Sequence, residues 1–529
     1  MSQTRPLGAQ ISHMLKDRGV DVIFGIPGVH NQELYRGIEE AGISHVLARH
    51  EQGAGFMADG YARATGKPGV AYVITGPGLT NIMTPVGQAY SDSVPMLVIS
   101  SCLDETAARR GQLHQMKDQR AAAETVCDWS EEARTAQAAY GLIDRSIQEF
   151  HALRPRPKHI QIPISVLEAL ADPAPVRGNG LSDGVLQLGE LSGVVAHLIK
   201  DARRPILVLG GGARDAVADI RDLLARCPIP AFTTYAGRGI VPPDYPMSFG
   251  SFLARPGSAE VFAQADLVIA VGTELAEVDL WRDQLGQTGT LVRIDIDAEA
   301  LSDSKGNTLR FNAAAHTVFA ALKEVKDLPD AFDWVPEDIA AARDRWRAEV
   351  EAEYPGIPTI CNALKAALPQ GTMIYSDMTQ FAYAAKEVWD MDRPGHWHHP
   401  YGFGTLGYAV PAAIGGQVGR PGLPTMAIVG DYGFHYTCQE LGVAVELGLP
   451  LPIILWDNGK LGAIEASMVS AQIAPNAVVA RNPDFCKLAE AFGAASAAPG
   501  NLEEMQQAVA QAFTAEGPTL IYLTPAVLG

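Results

Sequence analysis

Short, β-branched apolar runs recur along the whole chain, each bounded by glycine or proline and separated from the next by a helix-length stretch. They are VDVIFG, VAYVIT, MLVISS, ILVLGG, LVIAVG, LVRIDI, MIYSD, MAIVGD, PIILWD and LIYLTP. Strands buried on both faces of a parallel sheet read as continuous apolar runs, and the intervening helices supply the crossovers. The pattern therefore predicts a repeated, doubly wound α/β architecture. Two shifts in composition divide it. Residues 169–184 (ALADPAPVRGNGLSDG) are rich in proline, glycine and small residues. Residues 326–338 (KDLPDAFDWVPED) are acidic and lead into a charged helix, DIAAARDRWRAEVEAEY. Three α/β domains are expected, at 1–170, 185–330 and 355–529. No short tandem repeat occurs, which argues against solenoids and propellers.

Charge narrows the functions open to such a chain. It carries 41 Lys and Arg against 60 Asp and Glu, a formal net charge of −19. Binding to nucleic acid or to an anionic membrane needs the opposite sign. The six cysteines, none in a CxxC spacing, suit a reducing compartment and argue against a disulfide framework. The first residues, MSQTRPLGAQISHMLKDRG, lack the continuous apolar core of a signal peptide. The longest apolar runs are too short to cross a bilayer. A soluble, cytoplasmic protein is expected, with no nucleic-acid or membrane partner.

The C-terminal third carries the sharpest chemical signal. After the run TMAIV comes GDYGFHYTCQELGVAVELG, and after PIILW comes DNGKLGAI. Asp431 follows one strand and Asn458 the next, 27 positions later. Ligands of doubly wound sheets bind beyond the carboxyl ends of strands, so two adjacent strands bring these oxygen donors to one point. A carboxylate, an amide oxygen and a backbone carbonyl suit magnesium that also holds a diphosphate. Gly433 and the helix start beside it offer N–H groups to phosphate oxygens. Each residue alone also serves as a helix cap or a turn; their spacing on paired strands favours the metal.

These segments resemble the thiamine-diphosphate-dependent enzymes of the 2-oxo acid decarboxylase and acetolactate synthase superfamily, whose signature is GDG, a helix, then NN. The resemblance implies that Asp431 and Asn458 give side-chain magnesium ligands and Lys460 a backbone carbonyl. Tyr432 stands where the family has glycine, and Asp457 where it has the first asparagine; neither is a ligand. In the N-terminal third, RHEQGAGFMADGYAR matches the family's RHE-x-x-A-x-x-MA-x-GYAR. By that match Glu51 hydrogen-bonds the aminopyrimidine ring and manages its proton, a task that a poorly solvated pocket supports. TGPGLTN, QAYSDSVPMLVISS, FGIPGVHNQEL and NPDFCKLAEAFGA match further family segments. Val29 and Ile74 stand where benzoylformate-type decarboxylases carry catalytic serine and histidine. YGFGTLGYAVPAAIGG places Leu406 as the apolar wedge under the cofactor and the Gly404 carbonyl as its pyrimidine acceptor. SDMTQ places Thr379 and Gln380 at the diphosphate, with Tyr432 and Gly433 beside them.

The implied chemistry is non-oxidative decarboxylation of a 2-oxo acid on bound thiamine diphosphate and magnesium, with the cofactor doing the hard step. The resemblance further implies a homodimer or homotetramer whose sites lie at the subunit interface. Within the superfamily the sequence looks closest to 5-guanidino-2-oxopentanoate (2-ketoarginine) decarboxylases. Acetolactate synthases carry a GARFDDR-like segment that helps bind flavin; here GTELAEVD offers Glu274, Glu277 and Asp279 and no arginine. FAD is accordingly not favoured, and the glycine triplet 210–212 is weak support for a dinucleotide. A guanidinium tail pairs bidentately with carboxylates, which makes Glu277, Asp279 and Glu465 candidate tail contacts. His30 and His114 are candidate catalytic proton relays, and His399 a candidate at the substrate. His396, His398 and His399 read as a loop rather than a transition-metal site. The alternatives are an acetolactate synthase-type carboligase subunit and, more remotely, a non-catalytic thiamine-diphosphate-binding subunit, against which intact Glu51 argues.

Overall fold

A computed structural model describes residues 4–104, 111–176, 188–302, 307–479 and 481–529. The second half of the 169–184 stretch, expected to separate the first domain from the next, lies outside these residues. All ten apolar runs are strands, and they fall into three parallel sheets. The first contains β1 (Val22–Gly25), β2 (Ser44–Leu47), β3 (Gly69–Val73), β4 (Met96–Cys102), β5 (Trp129–Glu132) and β6 (Lys158–Pro163), in the order β2-β1-β3-β4-β6-β5. The second contains β7 (Pro205–Leu209), β8 (Ala231–Thr233), β9 (Ser248–Gly250), β10 (Leu267–Val271), β11 (Thr290–Asp295) and β12 (Thr308–Asn312), in the order β9-β8-β7-β10-β11-β12. In the third, β13 (Met373–Ser376), β14 (Thr425–Gly430), β15 (Pro452–Trp456), β16 (Ala495–Ala497) and β17 (Thr519–Leu523) run in the order β13-β14-β15-β17-β16. The ten strands formed by the apolar runs are buried nearly end to end, as such runs require, whereas the edge strands β2, β12 and β16 are partly exposed.

The chain divides into two units. One comprises residues 1–178, 363–380 and 399–529, holding the first and third sheets; the other comprises 179–362 and 381–398, holding the second. In the first unit, helix α1 (Glu51–Thr65) has α2 (Pro77–Ser91) packed beside it and crosses helix α3 (Ala409–Gly419) at backbone contact. The glycines make the crossing: a Cβ on Gly60 would lie 1.9 Å from the Ala412 carbonyl oxygen, and one on Gly415 1.9 Å from that of Met57. Buried charges fasten the same crossing. Arg63 of α1 bonds Asp59 at 2.6 Å and Asp92, at the end of α2, at 2.9 Å. The Tyr408 hydroxyl donates to Asp59 at 2.8 Å.

In the second unit the glycine triplet has a structural occupation. Gly210 N–H donates to Val271 O and Gly212 N–H to Gly272 O, so two turns close on each other beyond β7 and β10. The expected charged helix is present as Pro336–Glu353. The single helix that the signature implies between Asp431 and Asn458 is instead broken into α4 (Asp431–Thr437), a 3₁₀ turn at Cys438–Glu440 and α5 (Leu441–Glu446). All six cysteines are unpaired. No described helix is long and apolar enough to cross a membrane.

Gly60→Val should destabilise the fold by about 3 kcal/mol, the upper range for overpacking, because backbone blocks the new side chain. Gly141 is exposed within the helix Ala136–Ala152, and a Cβ there meets nothing within 4 Å. Gly141→Ala should therefore stabilise it by about 0.5–1 kcal/mol. Denaturant titration of both variants checks the contrast; equal midpoints would refute the close crossing.

Candidate active site

Glu51, His30, Thr379, Asp431 and Asn458 each follow the carboxyl end of a strand. The chain leaves β2, and His50 caps α1 by accepting the Gln52 N–H on its Nδ1 at 3.1 Å. Glu51, the first residue of α1, is buried and accepts from Asn81 Nδ2 at 2.9 Å. The turn after β3 lies against it: a Cβ on Gly78 would sit 3.4 Å from Glu51 Oε1 and 2.8 Å from Ile74. His30, from the turn after β1, meets His114 edge to face at 4.8 Å between ring centroids. Each presents a buried Nδ1 without a hydrogen-bond partner. Burial, and secondarily the facing His114, lowers the His30 pKa, which keeps that imidazole neutral and able to accept a proton.

A buried polar chain sets the turn after β3. Gly76, at φ +71°, donates its N–H to Gln119 Oε1 at 2.8 Å and is pressed against the His114 carbonyl. Gln119 Nε2 donates to Ser100 Oγ and to the Ser101 carbonyl. Ser100 in turn meets His159 Nε2 at 2.8 Å, and Ser130 meets its Nδ1 at 2.7 Å. Burial pushes His159 down to about 3, so it is neutral throughout the working range.

The second group gathers at the third sheet. Gly430 and Trp456 are register partners at the ends of β14 and β15, so Asp431 and Asp457 are the first residues beyond neighbouring strands. Asp431 is buried, and burial raises its pKa. Asn482 donates to Asp431 Oδ2 at 2.8 Å and to Asp457 Oδ1 at 3.0 Å. Asn458 Nδ2 donates to Gln380 Oε1 at 2.5 Å, and Asn458 Oδ1 accepts the Lys460 N–H at 3.3 Å. Thr379 is buried where a Cβ on Gly430 would fall 3.1 Å from its Oγ1. Tyr432 is half-buried and Gly433 buried in the first turn of α4. Gly404, at φ +66°, faces Met378, and Leu406 is half-buried in the same loop.

Asp377 braces that loop. It is fully buried, accepts from Met378 N–H at 2.7 Å and Gly407 N–H at 2.9 Å, and also takes the N–H groups of Tyr408 and Ala409 at the start of α3. Burial nonetheless pushes it up to about 7. Glu440 joins the two groups: its carboxylate accepts Arg49 N–H at 3.2 and 3.1 Å, just before Glu51, and burial pushes it up to about 7.

The remaining candidates divide. His399 is buried with Nδ1 2.9 Å from Ser376 Oγ. Glu465 is taken up by an ion pair with Lys460. Glu277 and Asp279 lie in the other unit; Glu277 is exposed, and Asp279 accepts Tyr235 N–H at 3.4 Å. Sequence reasoning singled out none of Asn81, Gln119, Asp377, Glu440 or Asn482. Asn81, Glu440 and Asn482 were visible inside TGPGLTN, TCQEL and NPDF, but nothing local marks an amide that serves a distant carboxylate.

The oxygen donors of the second group, carboxylate, amide oxygen and backbone carbonyl, fit a hard divalent cation. No group of three or more His, Cys, Asp or Glu side chains gathers for a metal among the described residues.

Comparison with known proteins places the chain among characterised families. The sequence matches the N-terminal TPP binding domain of thiamine pyrophosphate enzymes over residues 5–122, their central domain over 193–322 and their C-terminal TPP binding domain over 377–523. It is 43% identical over 537 residues to the probable 2-ketoarginine decarboxylase AruI of Pseudomonas aeruginosa, covering 98% of this chain and 94% of that protein. It is 28% identical to the large subunit of acetolactate synthase isozyme 2 of Escherichia coli, covering 98% and 95%. The mitochondrial acetolactate synthase catalytic subunit of Saccharomyces cerevisiae is also 28% identical, with 97% and 80% covered.

Replacing Gln119 by methionine keeps its volume but leaves the buried Gly76 N–H without an acceptor. A loss of about 1–3 kcal/mol is expected, measured as a shifted denaturation midpoint. A shift below about 0.5 kcal/mol, the range of ordinary surface substitutions, would refute this bracing.

Proposed function

The chain belongs to the thiamine pyrophosphate enzyme family and is a thiamine-diphosphate-dependent decarboxylase, and we propose that its substrate is 5-guanidino-2-oxopentanoate, with magnesium as the metal. The observation that carries the substrate is the 43% identity, over nearly the full length of both chains, to the Pseudomonas aeruginosa protein. When bound, thiamine diphosphate supplies a nucleophilic carbon for the 2-oxo group and a ring that accepts the electron pair left as carbon dioxide departs.

The chain's own residues position the reactants and manage protons. Glu51, buried and held at one oxygen by Asn81, holds and returns the proton of the aminopyrimidine ring. His30 and His114 are the neighbouring proton relay; their unpartnered nitrogens support that role. Leu406 would pack under the bound cofactor, and the Gly404 carbonyl would accept from its amino group. Asp431, Asn458 and the Lys460 carbonyl hold magnesium, while Thr379, Gln380, Tyr432 and Gly433 surround the diphosphate. We assign the holoenzyme to a homodimer or homotetramer in a reducing cytosol.

The guanidinium tail needs a carboxylate with spare acceptor capacity. Glu277, exposed, meets that need better than Glu465, which is paired with Lys460, or Asp279, which already accepts a backbone N–H. His399, held through Nδ1 by Ser376, stands as a further candidate at the substrate. The identity to acetolactate synthases leaves carboligation of pyruvate as the competing outcome.

Carbon dioxide release is to be measured from 2-ketoarginine, pyruvate and benzoylformate with magnesium and cofactor added. Preference for 2-ketoarginine is expected; acetolactate formed from pyruvate, or yellow flavin-bearing protein, would favour the carboligase. Glu51→Gln should retain cofactor yet lose turnover by a factor of about 100 or more, at the low end of the range of about 10²–10⁴ for a general acid–base group. Asp431→Ala should fail to retain cofactor, and normal retention would refute the metal assignment.

A further inference from the structure

Asp431 and Asp457 are the residues immediately beyond the register pair Gly430 and Trp456. Adjacent strands lie about 4.8 Å apart, so two carboxylates are placed side by side at the mouth of the third sheet. Only one of them is the expected metal ligand. The resemblance implies that choice, but position alone gives no reason for it, because both follow a strand of the same sheet.

The hydrogen bonds supply one. Asp457 takes three donors: Oδ1 takes Gly459 N–H at 2.8 Å and Asn482 at 3.0 Å, and Oδ2 takes the Tyr522 hydroxyl at 2.9 Å. Three of its roughly four acceptor sites are thus taken, by the turn 457–460, by Asn482 and by β17. Asp431 instead receives the Asn482 amide on Oδ2 and a backbone N–H from Tyr432, and its carboxyl lies within hydrogen-bond reach of that of Asp457. Asn482 thus spends both N–H groups of one neutral amide on two facing carboxylates, and its own Oδ1 is buried without a partner. A lysine or arginine at this position would cancel the negative charge that a cation needs. A neutral amide fixes orientation and leaves the charge in place.

We propose that Asn482 is a positioning residue, which aims the Asp431 carboxylate at the metal while holding Asp457 away from it. The proposal rests on Asp431 being the metal ligand. It concerns a residue that touches a ligand and not the cation, the kind of support whose loss typically costs about 10–100-fold in metal affinity. Magnesium demands near-ideal octahedral geometry, whereas calcium accepts flexible, irregular ligand sets. Loss of aim therefore penalises magnesium selectively, while general loosening of the fold penalises both ions alike.

The test is binding of thiamine diphosphate to the full-length apoprotein, followed by tryptophan fluorescence, with Mg²⁺ or Ca²⁺ as the sole divalent ion. In N482A the Mg²⁺ concentration at half-saturation should rise about 10–100-fold, and the Ca²⁺ concentration by less than a third of that factor. If N482A loses cooperative unfolding, N482D, isosteric and without donors, takes its place; its added charge acts on both ions, so the magnesium-to-calcium ratio remains the readout. An unchanged ratio overturns the proposal, whether both affinities hold or both fall together. Failure of the wild-type protein to bind cofactor with either ion would instead overturn the metal site itself.

Discussion

The site depends on one constraint: carboxylates must be buried at strand ends without being neutralised by permanent cations. Burying a charge is costly unless hydrogen bonds compensate it. Glu51 takes an amide from Asn81, Asp377 takes backbone N–H groups at the start of α3, and Asp431 takes the amide of Asn482. Neutral donors meet the demand for hydrogen bonds and leave the negative charge available to a metal or a proton. Asp59 and Asp92 show the opposite solution. Both are tied to Arg63, so their charge is balanced and they serve the packing of α1 against α2 and α3.

Helix α1 carries both solutions at once. Its first turn presents Glu51, and its last presents Arg63, so the stretch that most strongly signals a cofactor is also the clamp of the unit. The glycines at 60 and 415 allow backbone contact with α3. Because α3 begins where Asp377 caps the 404–407 loop, a shift of this crossing moves Glu51 and Leu406 together. Glu440 adds a further tie, running from the segment that begins at Asp431 to the backbone just before Glu51. The elements that hold chemistry are thus held by one another, and not by the loops alone.

Strand positions were legible because buried parallel strands leave no ambiguity of period: ten apolar runs became ten strands. The placement of Asp431, Asn458 and Glu51 beyond strand ends was legible for a related reason, since a strand end followed by an oxygen donor is local information. The break at Cys438–Glu440 was not: the backbone leaves helical geometry at Thr437, at φ −141°, whose hydroxyl donates to the Gly407 carbonyl, 30 residues away in sequence. Asn482 and Asn81 were missed on the same ground. An asparagine has no pattern of its own, and its value lies in a partner 51 residues away for Asn482 and 30 for Asn81. The glycine triplet misleads in the other direction: its residues are small because two turns meet there, which by itself requires no dinucleotide.

Substrate choice follows a different logic from cofactor binding. A net charge of −19 makes acidic residues abundant, so proximity in sequence to a motif is poor evidence that one of them meets a cationic tail. What discriminates is whether a carboxylate still has acceptor capacity. Glu465 is committed to Lys460, and Asp279 accepts a backbone N–H near Lys386, whose pKa burial lowers to about 8. A carboxylate already compensated gains little from a guanidinium, since the existing partner must first be displaced. Among the acids considered, this leaves the exposed Glu277 as the one whose charge is least answered by the protein itself.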